Sequence, residues 1–351
     1  MTRPDPLSYP LPDRPAPGEA VQVAEGVLWM RLPLPMRLDH VNVYALDDGP
    51  VGWTVIDAGL GTAACRAAWT ALMAGPLGGR PVWRVLLTHH HPDHVGLAGW
   101  FQTAHGAELW TTRTAWLFAR MLQLDVQTQP APETVAFWRA AGMTPDMIAA
   151  RMGERPFNFA DVTAHLPLGY RSLAEGESVT IGGRVWAVRL TGGHAPDHIT
   201  LWERDGPLVI AGDQVLAGIT PNVGVWPTEP QADPLADFLN ACDRLAGHAR
   251  DHQLVLPGHQ RPFIGLPARL ATMAAHHHDA LDKLAAALVQ PRSAADCFEV
   301  LFGRRIEGGH YGLALGEAIA HLHRLRAEGR VIGQADADGV VMWQATGDSV
   351  T

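Results

Sequence analysis

The sequence predicts an α/β chain of the α+β kind: a layered core of sheets and helices, a helical insertion, and a small C-terminal domain. Three observations carry this expectation. Short apolar runs alternate with helical stretches from Val27 to Trp110, and strand-like runs resume from Ser178 to Pro257, the rhythm of stacked sheet and helix layers. Between them, Thr112 to Tyr170 reads as helices separated by proline and glycine. Beyond His259 the pattern changes again, to helices followed by a small β hairpin.

Taken in order, residues 1–20 are proline-rich and polar and predict an extended arm. Val27–Leu32, Val41–Leu46 and Trp53–Asp57 predict strands, and the turn Asp47-Asp48-Gly49 joins the last two as a hairpin. Gly61–Ala74 predicts a helix and Val82–Leu87 a buried strand; Val95–Thr103 is helical and Leu109–Trp110 a short strand. Helical pieces of the insertion fall at Ala115–Leu124, Glu133–Ala141 and Pro145–Met152. Strands follow at Ser178–Ile181, Val185–Leu190, His198–Glu203 and Leu208–Ala211, then a helix at Pro234–Leu245 and a strand at Gln253–Pro257. Arg269–Leu288, Ser293–Leu301 and Leu313–Glu328 predict three helices, with Gly329 ending the last. Val331–Gly333 and Val340–Trp343 flank the turn Asp336–Gly339, which completes a winged-helix pattern. The expected domains are the arm at 1–20, a catalytic domain at 21–262 with its insertion at about 112–170, and a winged-helix-like domain at 263–351.

The 351 residues are 47% hydrophobic and 18% charged, enough apolar material for a full core and too little charge for a disordered chain. A formal net charge of −9 argues against nucleic acid as a partner, since such proteins usually present a basic surface. Cys65, Cys242 and Cys297 are scattered and form no CxxC, as in a reducing compartment. The first residues lack the basic-then-apolar pattern of a signal peptide, and no apolar run is long enough to span a bilayer, so a cytoplasmic location is expected.

The chemistry is concentrated in Thr88-His89-His90-His91-Pro92-Asp93-His94, directly after a predicted buried strand. His89, His91 and His94 supply imidazoles and Asp93 a carboxylate, the donors that zinc and related ions take. A turn after a strand aims alternate side chains into one cleft, so these donors can serve two neighbouring ions. A solvated histidine-rich loop is the plain alternative, but such loops seldom follow a buried strand.

His89, His91, Asp93 and His94 match His-x-His-x-Asp-His, and here the chain resembles the metallo-β-lactamase superfamily. Gly193-His194, Gly212-Asp213 and Gly258-His259, each just after a predicted strand, resemble the family's remaining ligands, and Asn42-Val43-Tyr44 and Ile56-Asp57-Ala58-Gly59 resemble its early motifs. The resemblance covers about Val21 to Pro262 and implies a four-layered αβ/βα sandwich with metals at one edge of two sheets. It implies that His89, His91 and His194 hold one divalent ion, and Asp93, His94 and His259 another, with Asp213 and a hydroxide bridging them. Zinc is the expected metal, with iron or manganese as alternatives. Two close cations lower the pKa of a shared water towards neutrality, and Asp93 is the candidate to orient that nucleophile. Asp57 reads equally as a buttress for a histidine ring or as an ordinary turn carboxylate. His90 is expected to be structural, His198 to support the metal loop, and His276, His277 and His278 to lie at a surface or interface; His40 and His105 have no assigned part.

Within that superfamily, a histidine at position 91 argues against di-iron redox chemistry, and Asp213 against β-lactam hydrolysis as the main activity. Glyoxalase II-like enzymes and lactonases of the superfamily share the full ligand set, as do several phosphodiesterases and nucleases, and the chain resembles the glyoxalase II-like or lactonase-like branch. The tail resembles a winged-helix domain of a hydrolase branch that includes enzymes acting on RNA, and it lacks the lysine-rich pattern of glyoxalase II. The insertion is rich in Trp, Phe and Met, including Trp116, Phe118, Met121 and Trp138, which suits an apolar pocket, core packing or a homodimer contact. The expected activity is hydrolysis of a small carboxylic ester, thioester or lactone; the alternative is a metal-dependent ribonuclease or phosphodiesterase using the winged helix to bind RNA.

Overall fold

The computed structural model describes residues 7–11 and 14–347, so part of the expected arm lies outside the described residues. Two compact units share the chain. The first holds the described residues up to Val126, Phe157–Pro221 and Gly247–Arg269; the second holds Gln127–Pro156, Asn222–Ala246 and the chain from Leu270 onward.

The first unit is built on two sheets. Strands β1 (Val21–Ala24), β2 (Val27–Pro33), β3 (His40–Asp47), β4 (Trp53–Ile56), β5 (Val82–Leu86), β6 (Glu108–Thr111) and β7 (Arg171–Ser172) pair in sequence order. The first four are antiparallel neighbours; β4 through β7 are parallel, because helices α1 (Ala63–Ala74), α2 (Pro92–Val95), α3 (Ala98–His105) and α4 (Arg113–Leu124) make the crossovers. The second sheet runs in the reverse of sequence order, from β13 (Phe263–Ile264) through β12 (Leu254–Pro257), β11 (Leu208–Gly212), β10 (His198–Glu203) and β9 (Arg184–Thr191) to β8 (Ser178–Ile181). The short edge strands β1, β7 and β13 have no strand among the sequence expectations, for two residues carry no readable alternation and β1 is only half buried.

Core residues divide by sheet face. Trp29, Tyr44, Ile56 and Leu86 of the first sheet pack with Trp186, Val188, Ile199 and Ile210 of the second, so the alternating faces of the two sheets meet. Met30, Val43, Val55 and Val85 point the other way and pack with Trp69 of α1 and Phe101 of α3. Both faces of the first sheet are therefore covered, which is why its central strands read as continuous apolar runs rather than alternating ones.

The expected insertion is shared between the units. Helix α4 and the stretch after Phe157 stay with the first, because the Gln123 side chain donates to Thr163 Oγ1 at 2.8 Å and to the Ala164 carbonyl at 2.7 Å, and accepts from Leu166 N–H at 2.9 Å. Helices α5 (Pro132–Ala140) and α6 (Pro145–Met152) belong to the second unit, where Ala295 N–H donates to the Ala141 carbonyl at 3.0 Å. Trp116 stacks on Tyr170, with ring centroids 4.6 Å apart, and packs against the first unit's core.

The second unit also contains α7 (Pro234–Ala246), most of α8 (Leu266–Ala287), α9 (Phe298–Phe302), α10 (Tyr311–Ala327) and the hairpin β14 (Val331–Ala335) and β15 (Val341–Ala345). His276 and His278 are exposed, as expected of a surface role, but His277 is fully buried. It lies against Phe238, with Nδ1 3.3 Å from His321 Nε2, because the middle of three consecutive helical residues turns towards the packed side. No helix among the described residues is long and apolar enough to cross a membrane.

Candidate metal centre

Strands β9, β11 and β12 run in one direction, since β10 is antiparallel to both its neighbours and β11 is parallel to β12. The loops that follow them therefore leave the same edge of the second sheet. They carry His194, Asp213 and His259. The first sheet contributes His89 and His91 from the loop after β5, and Asp93 and His94 from the first turn of α2. All seven residues expected from the sequence meet at this edge.

Their donor atoms form three overlapping groups, His89–His91–His194, His89–His94–Asp213 and Asp93–His94–His259, each with its ligand atoms within 4.8 Å of one another. His91 Nδ1 lies 2.9 Å from His89 Nε2 and 3.0 Å from His194 Nε2. Asp213 Oδ2 lies 3.4 Å from His94 Nε2, 3.5 Å from His194 Nε2 and 3.2 Å from His259 Nε2. Asp93 Oδ2 lies 3.3 Å from His259 Nε2 and 3.5 Å from His94 Nε2. Asp213 Oδ2 thus lies beside histidines of the first and the third group, where a bridging carboxylate would sit.

The opposite ring nitrogens are held from behind. His94 Nδ1 donates to Asp57 Oδ2 at 2.8 Å, His259 Nδ1 to the His40 carbonyl at 2.8 Å, and His89 Nδ1 is 2.9 Å from Thr88 Oγ1. These bonds fix tautomer and ring angle, and leave each Nε2 facing the centre. Asp57 is thereby the buttress: its Oδ1 also accepts from Thr88 N–H at 2.8 Å, and its backbone sits at φ 64°, a conformation aspartate tolerates better than most residues.

His40 has no part that the sequence alone assigns. Besides its carbonyl on His259, its Nε2 accepts from Gln260 N–H at 3.0 Å, so both ends of this residue hold the last ligand loop. No local motif marks it, because its partners lie some 220 positions away in the chain. His198 is fully buried, stacks on His89 at 4.7 Å, and accepts from Asp213 N–H at 3.1 Å, in line with its expected support of the loop. His90 packs on Phe118 of α4 at 5.1 Å, outside the donor groups.

Electrostatics divides the donors. Burial and the neighbouring imidazoles hold the pKa of His89 and His91 well below the ordinary histidine value, so both are neutral. Burial also opposes protonation of His94 and His259, but the carboxylates of Asp213 and Asp93 outweigh it, raising His94 well above its usual value and His259 to about 10. For Asp213, burial favours the neutral acid, yet His259 and His94 hold it well below the usual carboxylate range.

The donor set fits divalent ions. Among the described residues, His94 Nε2 and Asp213 Oδ1 are buried and find no hydrogen-bond partner, which is costly unless something else satisfies them. Imidazoles and carboxylates arranged in this way are what zinc, iron or manganese accept. Glycine makes the close approach possible: a Cβ on Gly258 would fall 2.1 Å from Asp213 Oδ1 and 3.0 Å from His94 Cε1.

Two sheets meeting at a histidine- and aspartate-lined edge define a metallohydrolase-type sandwich, and residues 36–259 match the model of the metallo-beta-lactamase superfamily. The chain belongs to that superfamily. Residues 281–346 match the metallo-beta-lactamase-like C-terminal domain. A beta-lactamase domain protein from Burkholderia ambifaria is 36% identical, with a TM-score of 0.87 and 97% of each chain covered. A metallo-beta-lactamase family protein from Thermus thermophilus is 29% identical, with a TM-score of 0.77, covering 93% of this chain and 100% of that one. The protein named "Probable metallo-hydrolase YqjP" of Bacillus subtilis (strain 168) is 26% identical over 309 residues, 87% of this chain and 93% of its own.

Proposed function

We propose that this metallo-β-lactamase superfamily member is a hydrolase of a small carboxylic ester, thioester or lactone, working with two divalent ions, zinc first among them. The observation that carries this reading is the position of Asp213, whose Oδ2 lies within 3.5 Å of His94, His194 and His259, joining the two histidine groups at one carboxylate. A pair of such ions, when bound, lowers the pKa of water and draws electron density from a carbonyl oxygen.

The chain's own residues set up the rest. His89, His91 and His194 would hold one ion, Asp93, His94 and His259 the other, and Asp213 both. Asp57, Thr88 and the His40 carbonyl keep the rings aimed, and Asp93, kept ionised beside His94 and His259, orients the attacking water. The choice of a neutral acyl substrate is supported by the ion-pair partners of Asp93 and Asp213, which among the described residues are histidines and not lysine or arginine. A phosphodiester would call for fixed cations beside the metals. Buried thiols at Cys65, Cys242 and Cys297 support the expected cytoplasmic setting.

The test is a panel of esters, thioesters, lactones and phosphodiesters with matched leaving groups, run on metal-loaded protein with and without chelator. An acyl substrate should be turned over best and lost on chelation. A phosphodiester or RNA as best substrate, or turnover indifferent to chelator, overturns the reading.

A further inference from the structure

Helix α4 carries a surface stripe that is complementary to itself. Its buried face is Ala115, Ala119 and Gln123. The other side presents Arg113, Leu117, Met121 and Asp125, each four residues from the next, which draws one ridge along the helix and onto its C-cap. All four are exposed, Leu117 by 52% and Met121 by 43%. The order along this ridge is cation, apolar, apolar, anion. Turned about a twofold axis through the level of Ala119, Arg113 falls opposite Asp125 and Leu117 opposite Met121.

We propose that this face binds a second copy of the same chain, with the two α4 helices antiparallel across a twofold axis. Such an isologous contact uses each pairing twice, so the ridge supplies two Arg113–Asp125 pairs around a four-residue apolar centre. Beside the helix, the chain after Phe157 is fastened to α4 by Gln123 and by Arg120, whose guanidinium donates to the Leu166 carbonyl. An apolar surface of this kind, bounded by opposite charges at its two ends, suits a rotated copy of itself better than a lipid surface, which would favour one sign of charge. The same helix is tied to the His194 loop, for Thr112 Oγ1 donates to the Asp197 carbonyl at 3.2 Å and Thr114 Oγ1 to its carboxylate.

Sedimentation velocity on full-length, metal-loaded protein across roughly 1–100 μM tests the proposal, the range in which modest interfaces dissociate. The parent chain should sediment as a dimer at the upper end. Arg113→Asp and Asp125→Arg should each raise the dimer Kd by about tenfold or more, since like charges then meet twice. Combining the two should return the Kd to near the parent value. Both substitutions suit the helix dipole, acidic at the N-terminus and basic at the C-terminus, and thermal melts of each variant followed by circular dichroism separate a folding defect from a lost contact. A parent chain that stays monomeric throughout, a dimer indifferent to either reversal, or a double variant that fails to recover, each overturns the proposal.

Discussion

Asp57 and His94 meet in a 2.8 Å hydrogen bond, from ring Nδ1 to carboxylate Oδ2, with both side chains buried. A carboxylate behind a ligand histidine raises the basicity of the ring's other nitrogen and fixes where it points. Asp57→Asn keeps the shape, tolerates φ 64° and removes the charge. Metal affinity of the group containing His94 should fall by about 10- to 100-fold. Competition with a chromophoric chelator measures it, and unchanged affinity would mean that Asp57 serves the turn alone.

Asp213→Ala should leave the circular dichroism spectrum in place while lowering the metal content and removing most hydrolysis. The carboxylate lies at the edge of the sheets rather than within the apolar core. Elemental analysis beside kinetics decides the matter; a variant with full metal content and full turnover would show that Asp213 joins nothing.

Gly258→Ala is the smallest change with a large expected effect. The added methyl would overlap Asp213 Oδ1, so either the carboxylate or the His259 loop must shift. A displacement of about 1 Å at such a site can cost roughly 10²-fold in rate. Metal content should drop as well, and normal kinetics would show that the loop yields freely.

Glu317 gives a prediction about pH. Burial, against an opposing hydrogen bond from Asn222, raises its carboxyl from 4.5 to about 7. A group whose folded pKa is raised adds stability below its unfolded value, and that stability is lost as pH rises through the folded value. Charged Glu317 at pH 8 therefore costs about 2 kcal/mol, allowing for its partial contact with solvent. Glu317→Gln should melt a few degrees above the parent chain at pH 8, with the gap closing by pH 4.5. Thermal melts of both proteins across that range check it, and a gap independent of pH would refute the assignment.

The ligand set was legible because each member follows a strand and sits in a short pattern of reactive side chains, as in His89-His90-His91 and Gly258-His259. Long apolar or amphipathic elements such as β3 and α7 were legible for the same reason, through period and length. What escaped depends on contacts between distant residues. His40 means nothing until Gln260 folds against it, and the insertion reads as one piece until the backbone of Ala141 is seen paired with Ala295. Trp116 looked equally like a pocket wall, a core residue or a contact between copies; stacking on Tyr170 explains its packing, and nothing local announces that partner.

The seven donors come from both sheets, and the contact between His91 and His194 spans 103 positions of chain. An ion held by both would act as a reversible cross-link. In the unfolded chain, closing a loop of that size costs several kcal/mol of configurational freedom, and a clasp present only in the native state holds the two sheet edges against opening. The reaction centre then doubles as a rivet. Stripping it would let the sandwich part first at the edge where substrate enters, so protease nicks in metal-free protein should gather in the His194 and His259 loops before the distant strands are touched.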